Sequence, residues 1–286
     1  LIIKKLLLKF NPKDNKLKLK FFMLKKVLQR PLRSTHSLVL NKTEEVIESS
    51  IVAGSKIWYD AQDSSNLKVV GNSVEELYDK SGNGITANQT LGSSQPSYSG
   101  NINGNNAINF DQSQFLQTPS GFYAQTIFMV FKTFQNFNAA SSFQMPFAGR
   151  STSSNYVALG ATSSFVTNEV VTYVSGFHRT ATNLNFAPYN ANLPAGNYIL
   201  AFKDNSPTEI GIYLNGLSNL SNLQARDKEV MGSNEGLILC ARNTSGQNAF
   251  NCDMGEFVCY DRKLSDQEFS DNFQYLSNKW GIAITT

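Results

Sequence analysis

The stretch FVTNEVVTYVSGFHRTATNLNFAPYNAN, residues 165–192, is rich in aromatic rings and amides. Tyr173, Phe177, His178, Arg179 and Tyr189 are its candidate ligand contacts. Aromatic rings lie against the apolar faces of sugars, while amides, hydroxyls and a guanidinium bond sugar hydroxyls. That is the chemistry of holding a glycan. The competing reading, that these rings are core, claims Phe165 and Phe186. His178 beside Arg179, with Tyr173 and Tyr189 near, also sketches a lyase-like cluster. His36 is the only other histidine, and a lone histidine is no Ser-His-Asp constellation.

Cutting a glycosidic bond requires two carboxylates about 5–9.5 Å apart, which on one strand means alternate positions. Glu44, Glu45 and Glu48 precede the patterned part of the chain. Glu75 and Glu76 are immediate neighbours in a polar segment, and the acids of DRKLSDQEFSD suit a helix start. No catalytic residue is therefore assigned. Asp79 and Asn83, in DKSGNG, are candidate calcium ligands, with oxygen donors beside a tight glycine turn. The same residues suit an Asx turn, with Asp79 capping its own backbone and Gly82 and Gly84 at positive φ. Cys240, Cys252 and Cys259 show no CxxC spacing, so zinc is unsupported. They read as reduced thiols, partly core, with a Cys240–Cys252 bridge across a hairpin as the alternative. Asn41, Asn88, Asn219 and Asn243 stand in glycosylation sequons that matter only in a eukaryotic secretory path.

These residues sit among strand-sized apolar runs. KIWYD, NAINF, TIFMVFKTF, YVALG, EVVTYVSG, GNYILAFKD, EIGIYLNG, GLILCAR and GEFVCYD are separated by SGNG, NING, DNSPTE, LNG and NTSG. Short strands punctuated by such turns predict an antiparallel β-sandwich or barrel. TIFMVFKTF is apolar on both faces up to Lys132, the mark of a central strand. One helix is expected, LSDQEFSDNFQYLSNKWG. Ser265 and Glu268 form a capping box, and Leu264 and Phe269 a hydrophobic staple. Phe269, Phe273, Leu276 and Trp280 make one apolar stripe that Gly281 ends. The helix is expected on the outside of the sandwich or across one open end, as a structural clasp.

Charge divides the chain. Residues 1–33 hold 11 of the 25 Lys and Arg and one acid, Asp14, leaving 14 basic against 21 acidic residues in the remainder. Nucleic acid is thus not expected on the acidic body. Lysines interrupt every apolar run of the leader, so neither a signal peptide nor a transmembrane segment is recognised. The leader reads as a basic interfacial helix or arm, or as untranslated or disordered sequence upstream of a start at Met23. Expected boundaries are a leader at 1–33, a connector at 34–54 and a sandwich domain at 55–286.

Several motifs resemble the concanavalin A-like (laminin G-like) jelly-roll domains of phage, viral and bacterial surface proteins. GEFVCYDRKLSDQEF and YLSNKWGI resemble the family's closing strand and helix. IWYDAQDSSNL, YDKSGNGITANQ, QPSYSGNINGNNAINFDQSQFLQ and LPAGNYILAFKDNSPTEIGIYLNG resemble earlier parts, in the right order. The resemblance covers roughly residues 55 to 282. It implies two antiparallel sheets packed face to face, one of them concave. It also implies a non-catalytic glycan-binding, adhesion or structural role at a virion or cell surface. The partner would be a glycan or a neighbouring coat or surface protein, with calcium as the candidate cofactor. The alternatives are a glycan-cleaving enzyme on the same fold and a purely architectural decoration protein.

Overall fold

A computed structural model describes residues 50–111, 113–119, 122–136, 144–149, 156–161, 172–177, 179–180, 183–184, 193–206, 209–216, 219–224, 231–233, 236–241 and 243–285. The basic leader, the connector as far as residue 49 with His36, and the core assignments of Phe165 and Phe186 lie outside these residues.

Among the described residues the chain is all-β with one helix near its end. In chain order the strands are β1 (Ile57–Asp60), β2 (Leu67–Val70), β3 (Ser73–Leu77), β4 (Ala87–Asn88), β5 (Ser97–Ile102), β6 (Asn105–Phe110) and β7 (Leu116–Gln117). Next come β8 (Phe122–Ala124), β9 (Thr126–Thr133), β10 (Gln144–Gly149), β11 (Tyr156–Ala161), β12 (Thr172–Phe177), β13 (Arg179–Thr180) and β14 (Asn183–Leu184). The last are β15 (Gly196–Ser206), β16 (Glu209–Leu214), β17 (Asn219–Gln224), β18 (Met231–Ser233), β19 (Leu237–Leu239) and β20 (Cys252–Tyr260), followed by helix α1 (Asp266–Trp280).

One antiparallel sheet runs β12-β11-β10-β19-β7-β4-β3-β5-β6-β20-β9-β15-β16-β17, with β1 added to β20 and β2 to β3. It curls into a half-barrel, and its two halves enclose one apolar core. Ile127, Met129 and Phe131 of β9 meet Phe147 of β10, Leu239 of β19 and Leu77 of β3 in that core. The intervening residues Phe128 and Val130 face the other way, as strand alternation requires, into a second cluster under α1. This is why β9 is apolar on both faces.

Helix α1 lies on the outer face of the β20-β9-β15 half. Phe269 stacks at 4.7 Å from Tyr213 and 5.0 Å from Phe128, and Phe273 at 5.4 Å from Phe128. Trp280 is fully buried and rests on Gly255, where a Cβ would come within 2.8 Å of the indole. Gly255 lies in the irregularity that separates Met254 from Glu256 on β20, so the missing side chain makes room for the ring. Both helix ends are tied down. The Ser265 hydroxyl and Glu268 form the expected capping box, and Gly281 closes the helix in the left-handed conformation. The NING turn has a second task, because Asn103 donates to the carbonyls of Trp280 and Gly281 and Asn105 to that of Lys279, at 2.9 to 3.0 Å. Order reaches back before residue 55: Ile51 is buried in the helix-side cluster and Val52 N–H donates to the Asn272 side chain.

Two outcomes follow. Trp280→Ala removes the largest buried ring of the clasp, and denaturant unfolding should show a loss of about 3–5 kcal/mol. The Arg262 guanidinium and the Ser265 N–H hold the Glu268 carboxyl down to about 2, against an ordinary 4.5. A depressed carboxyl contributes stability that is complete above its unfolded value and is lost as pH falls through its folded one. Thermal midpoints should therefore decline between about pH 5 and about pH 2, and more shallowly in Glu268→Gln, whose amide keeps a capping acceptor but not the charge.

Candidate functional site

Carboxylates and cations converge under the helix. Asp60 of β1 stands opposite Glu256 of β20, in cross-strand positions that bring two acids close. The Glu256 side chain has no exposure. One of its oxygens accepts from the Trp58 indole at 2.6 Å and the Tyr275 hydroxyl at 3.3 Å. The other accepts from Lys279 at 2.7 Å and the Trp280 indole at 2.8 Å. Lys279 also reaches Asp60 at 2.7 Å, and Lys80 joins Asp60 at 2.8 Å to Asp63 at 3.0 Å. The Lys80 ammonium lies 4.7 Å from the centre of the Trp58 ring. Burial pushes the Glu256 carboxyl up, against the pull of Lys279. Burial, with Glu256 opposite, pushes the Tyr275 phenol up as well, so it stays a donor.

Sequence reasoning missed this group, since it depends on register between segments some two hundred residues apart. The available signal was a lone acid in the apolar run GEFVCY, close to a terminal Trp. The pair resembles a hydrolytic dyad only in its proximity. Every oxygen of Glu256 is engaged, and Lys279 bridges both acids while Lys80 supplies a second cation to Asp60. Lys68 bridges Glu75 and Glu76, at 2.8 and 3.1 Å.

Asp79 and Asn83 have the geometry of a turn rather than of a cation site. One Asp79 oxygen accepts from the N–H groups of Trp58 and Ser81 at 3.0 and 2.9 Å. The other accepts from the Ser81 hydroxyl at 2.7 Å and the Ile85 N–H at 3.2 Å. Asn83 donates its amide to the carbonyls of Ser55 and Lys56. Protein donors thus engage both oxygens of Asp79. Among the described residues no cluster of three or more His, Cys, Asp or Glu could hold a metal, and no helix is long and apolar enough to cross a membrane.

The other half of the sheet carries two of the remaining candidates, and the separate two-stranded sheet β13-β14 a third. Tyr173 and Phe177 lie on β12, which pairs with β11 so that Tyr156 stands opposite Phe177 and Gly160 opposite Tyr173. Arg179 begins β13, opposite Leu184 of β14. His178 and Tyr189 lie outside the described residues. Cross-strand pairing continues the row from Phe177 through Tyr156 to Ala148, Ile238, Gln117, Asn88 and Glu76. The adjacent row, Leu116, Leu239 and Phe147, enters the core. By alternation, the row holding Phe177 occupies the opposite face, on which Ala148 and Ile238 are buried and Ile238 packs with Phe115 and Ala241. In its middle the side-chain carbonyl of Gln117 is buried without a hydrogen-bond partner. Of the candidate ligand contacts, Tyr173 and Phe177 thus lie on one strand, with Tyr156 opposite Phe177.

No family model matches the chain, and no curated protein matches its sequence. Solved structures do. The chain is similar to a GH54 α-L-arabinofuranosidase soaked with a cyclic sulfate inhibitor, with TM-score 0.53, 16% identity and coverage of 71% of this chain and 50% of that one. A mutant of a GH54 α-L-arabinofuranosidase soaked with 4-nitrophenyl α-L-arabinofuranoside matches with TM-score 0.53, 15% identity and the same coverage, 71% and 50%. An arabinofuranosidase complexed with arabinofuranosyl-α-1,2-xylobiose follows, with TM-score 0.50, 13% identity and coverage of 83% and 61%. The chain thus spans between 50% and 61% of the length of these proteins. At such identities the likeness establishes the fold, a β-sandwich shared with proteins that act on glycans.

Lys279→Met tests the reading of the buried acids. It strands Glu256 without a counter-charge, and denaturant unfolding should show a loss of about 3–5 kcal/mol. A catalytic lysine would instead give a variant of unchanged stability.

Proposed function

We propose that the chain is a glycan-binding module of the concanavalin A-like jelly-roll kind, displayed at a virion or cell surface, which holds its partner without cutting it. The observation that carries this reading is the row across the sheet half remote from the helix. Phe177 and Tyr156 stand in register with Gln117 and Asn88, and Tyr173 lies four residues before Phe177 on the same strand. Rings supply stacking surfaces, and side-chain amides bond sugar hydroxyls. Arg179, His178 and Tyr189 continue this region in sequence and complete the proposed rim. Among the described residues, the acid pairs Asp60 with Glu256 and Glu75 with Glu76 are each bridged by a lysine, which favours binding over hydrolysis. A neighbouring coat subunit as partner draws no support from the similar structures.

A second reading has its own support. Three of the similar structures are arabinofuranosidases, so an enzyme acting on arabinofuranosyl glycans is the rival. It would need acids converging on the same remote face.

A glycan array with arabinofuranosyl-xylobiose and arabinan oligosaccharides, followed by calorimetric titration and a reducing-sugar release assay, tests both. Saturable binding without sugar release is expected. Tyr173→Ala and Phe177→Ala should each weaken it about tenfold, with the unfolding midpoint unchanged. Sugar release above background would establish the rival, and an array with no bound glycan would remove both.

A further inference from the structure

Two of the three cysteines are placed to react with each other. Cys240 directly follows β19 and Cys252 opens β20, on either side of the turns at 243–250. Their sulfurs are 3.6 Å apart and both residues are fully buried. A disulfide sets its sulfurs about 2.05 Å apart, so small side-chain rotations separate contact from bond. The backbone on the Cys240 side is already pinned. The Cys240 N–H donates to the Pro146 carbonyl, and the Cys240 carbonyl accepts from Phe250 N–H, both at 2.8 Å. Cys240 also takes φ +63°, a left-handed conformation that glycine or asparagine would hold at less cost. A cysteine there is the expensive choice unless its sulfur is used.

The partner choice is unambiguous. Cys252 and Cys259 lie on one strand, about 23 Å apart along it. A sulfur touching Cys252 therefore cannot touch Cys259.

We propose that Cys240 and Cys252 form a disulfide during folding in an oxidising compartment, clamping the β19–β20 connection and leaving Cys259 as the odd thiol. The oxidant is a small-molecule disulfide such as oxidised glutathione. One cysteine thiolate attacks it, giving a mixed disulfide and releasing one small thiol, which takes up a proton. The second cysteine then displaces the other small thiol, which takes up the second proton. Two protein thiols are oxidised and one external disulfide is reduced to two thiols. Burial pushes the Cys252 thiol well up, so the folded dithiol reacts slowly and the bond has to close before the core does.

The test uses the full chain, unfolded in reductant and refolded with reduced and oxidised glutathione, then alkylated under denaturing conditions. Intact mass should show one alkyl group without prior reduction and three with it. Peptide mapping should join the segments holding Cys240 and Cys252. The oxidised protein should melt several degrees above the same chain refolded in reductant, and Cys240→Ala should abolish the difference. Should that variant not fold, the alkylation count on the unmodified chain still decides. Three alkyl groups without reduction, a link through Cys259, or glutathione adducts without an intrachain bond would overturn the proposal.

Discussion

Glu256 is a carboxylate with no access to water, and the outer layer of the molecule is arranged around satisfying it. Its donors come from separate elements: Trp58 on β1, and Tyr275, Lys279 and Trp280 on α1. Each oxygen takes two donors, so losing one weakens a buried acceptor, and losing Lys279 also removes its counter-charge. The apolar stripe of α1 supplies most of the attraction to the sheet, but a greasy stripe can slide. Three donors at positions 275, 279 and 280 meet one carboxylate only in a single rotation and a single register. The network therefore specifies where the helix sits, while Phe269, Phe273 and Leu276 determine how strongly it stays.

That division assigns the two halves of the sheet different work. The β20-β9-β15 half is buried on both sides, by the core within and the helix without. Its acids are spent on lysines and cap the fold electrostatically. On the β10-β19-β7 half the opposite face runs through buried Ala148 and Ile238 to the amides of Gln117 and Asn88. Under the proposed function, stability and recognition occupy different sheet halves.

The parts legible in the sequence were those with local causes. The capping box, the staple and the stripe of α1 each lie within a few residues, and all are present. The two-faced character of β9 was readable because strand alternation is a property of one segment. Pairings between distant segments were not. Asn103 in NING looked like a turn residue and is one, yet it also caps a helix 177 positions away. Asp60 and Glu256 became a pair only through the register of β1 on β20. Asp79 illustrates the reverse case: the cation and turn readings share one local pattern, and only the donors from Trp58 and Ile85 separate them.

The most direct test of this division of labour is amide NMR on the labelled chain during titration with arabinofuranosyl-xylobiose. Shift changes concentrated in β7, β10, β11, β12 and β19, with Glu256, Lys279 and the Trp58 and Trp280 indoles unmoved, are what the account predicts. Changes centred on those indoles and on α1 would contradict it, because the buried charge network would then be the ligand site rather than the lock.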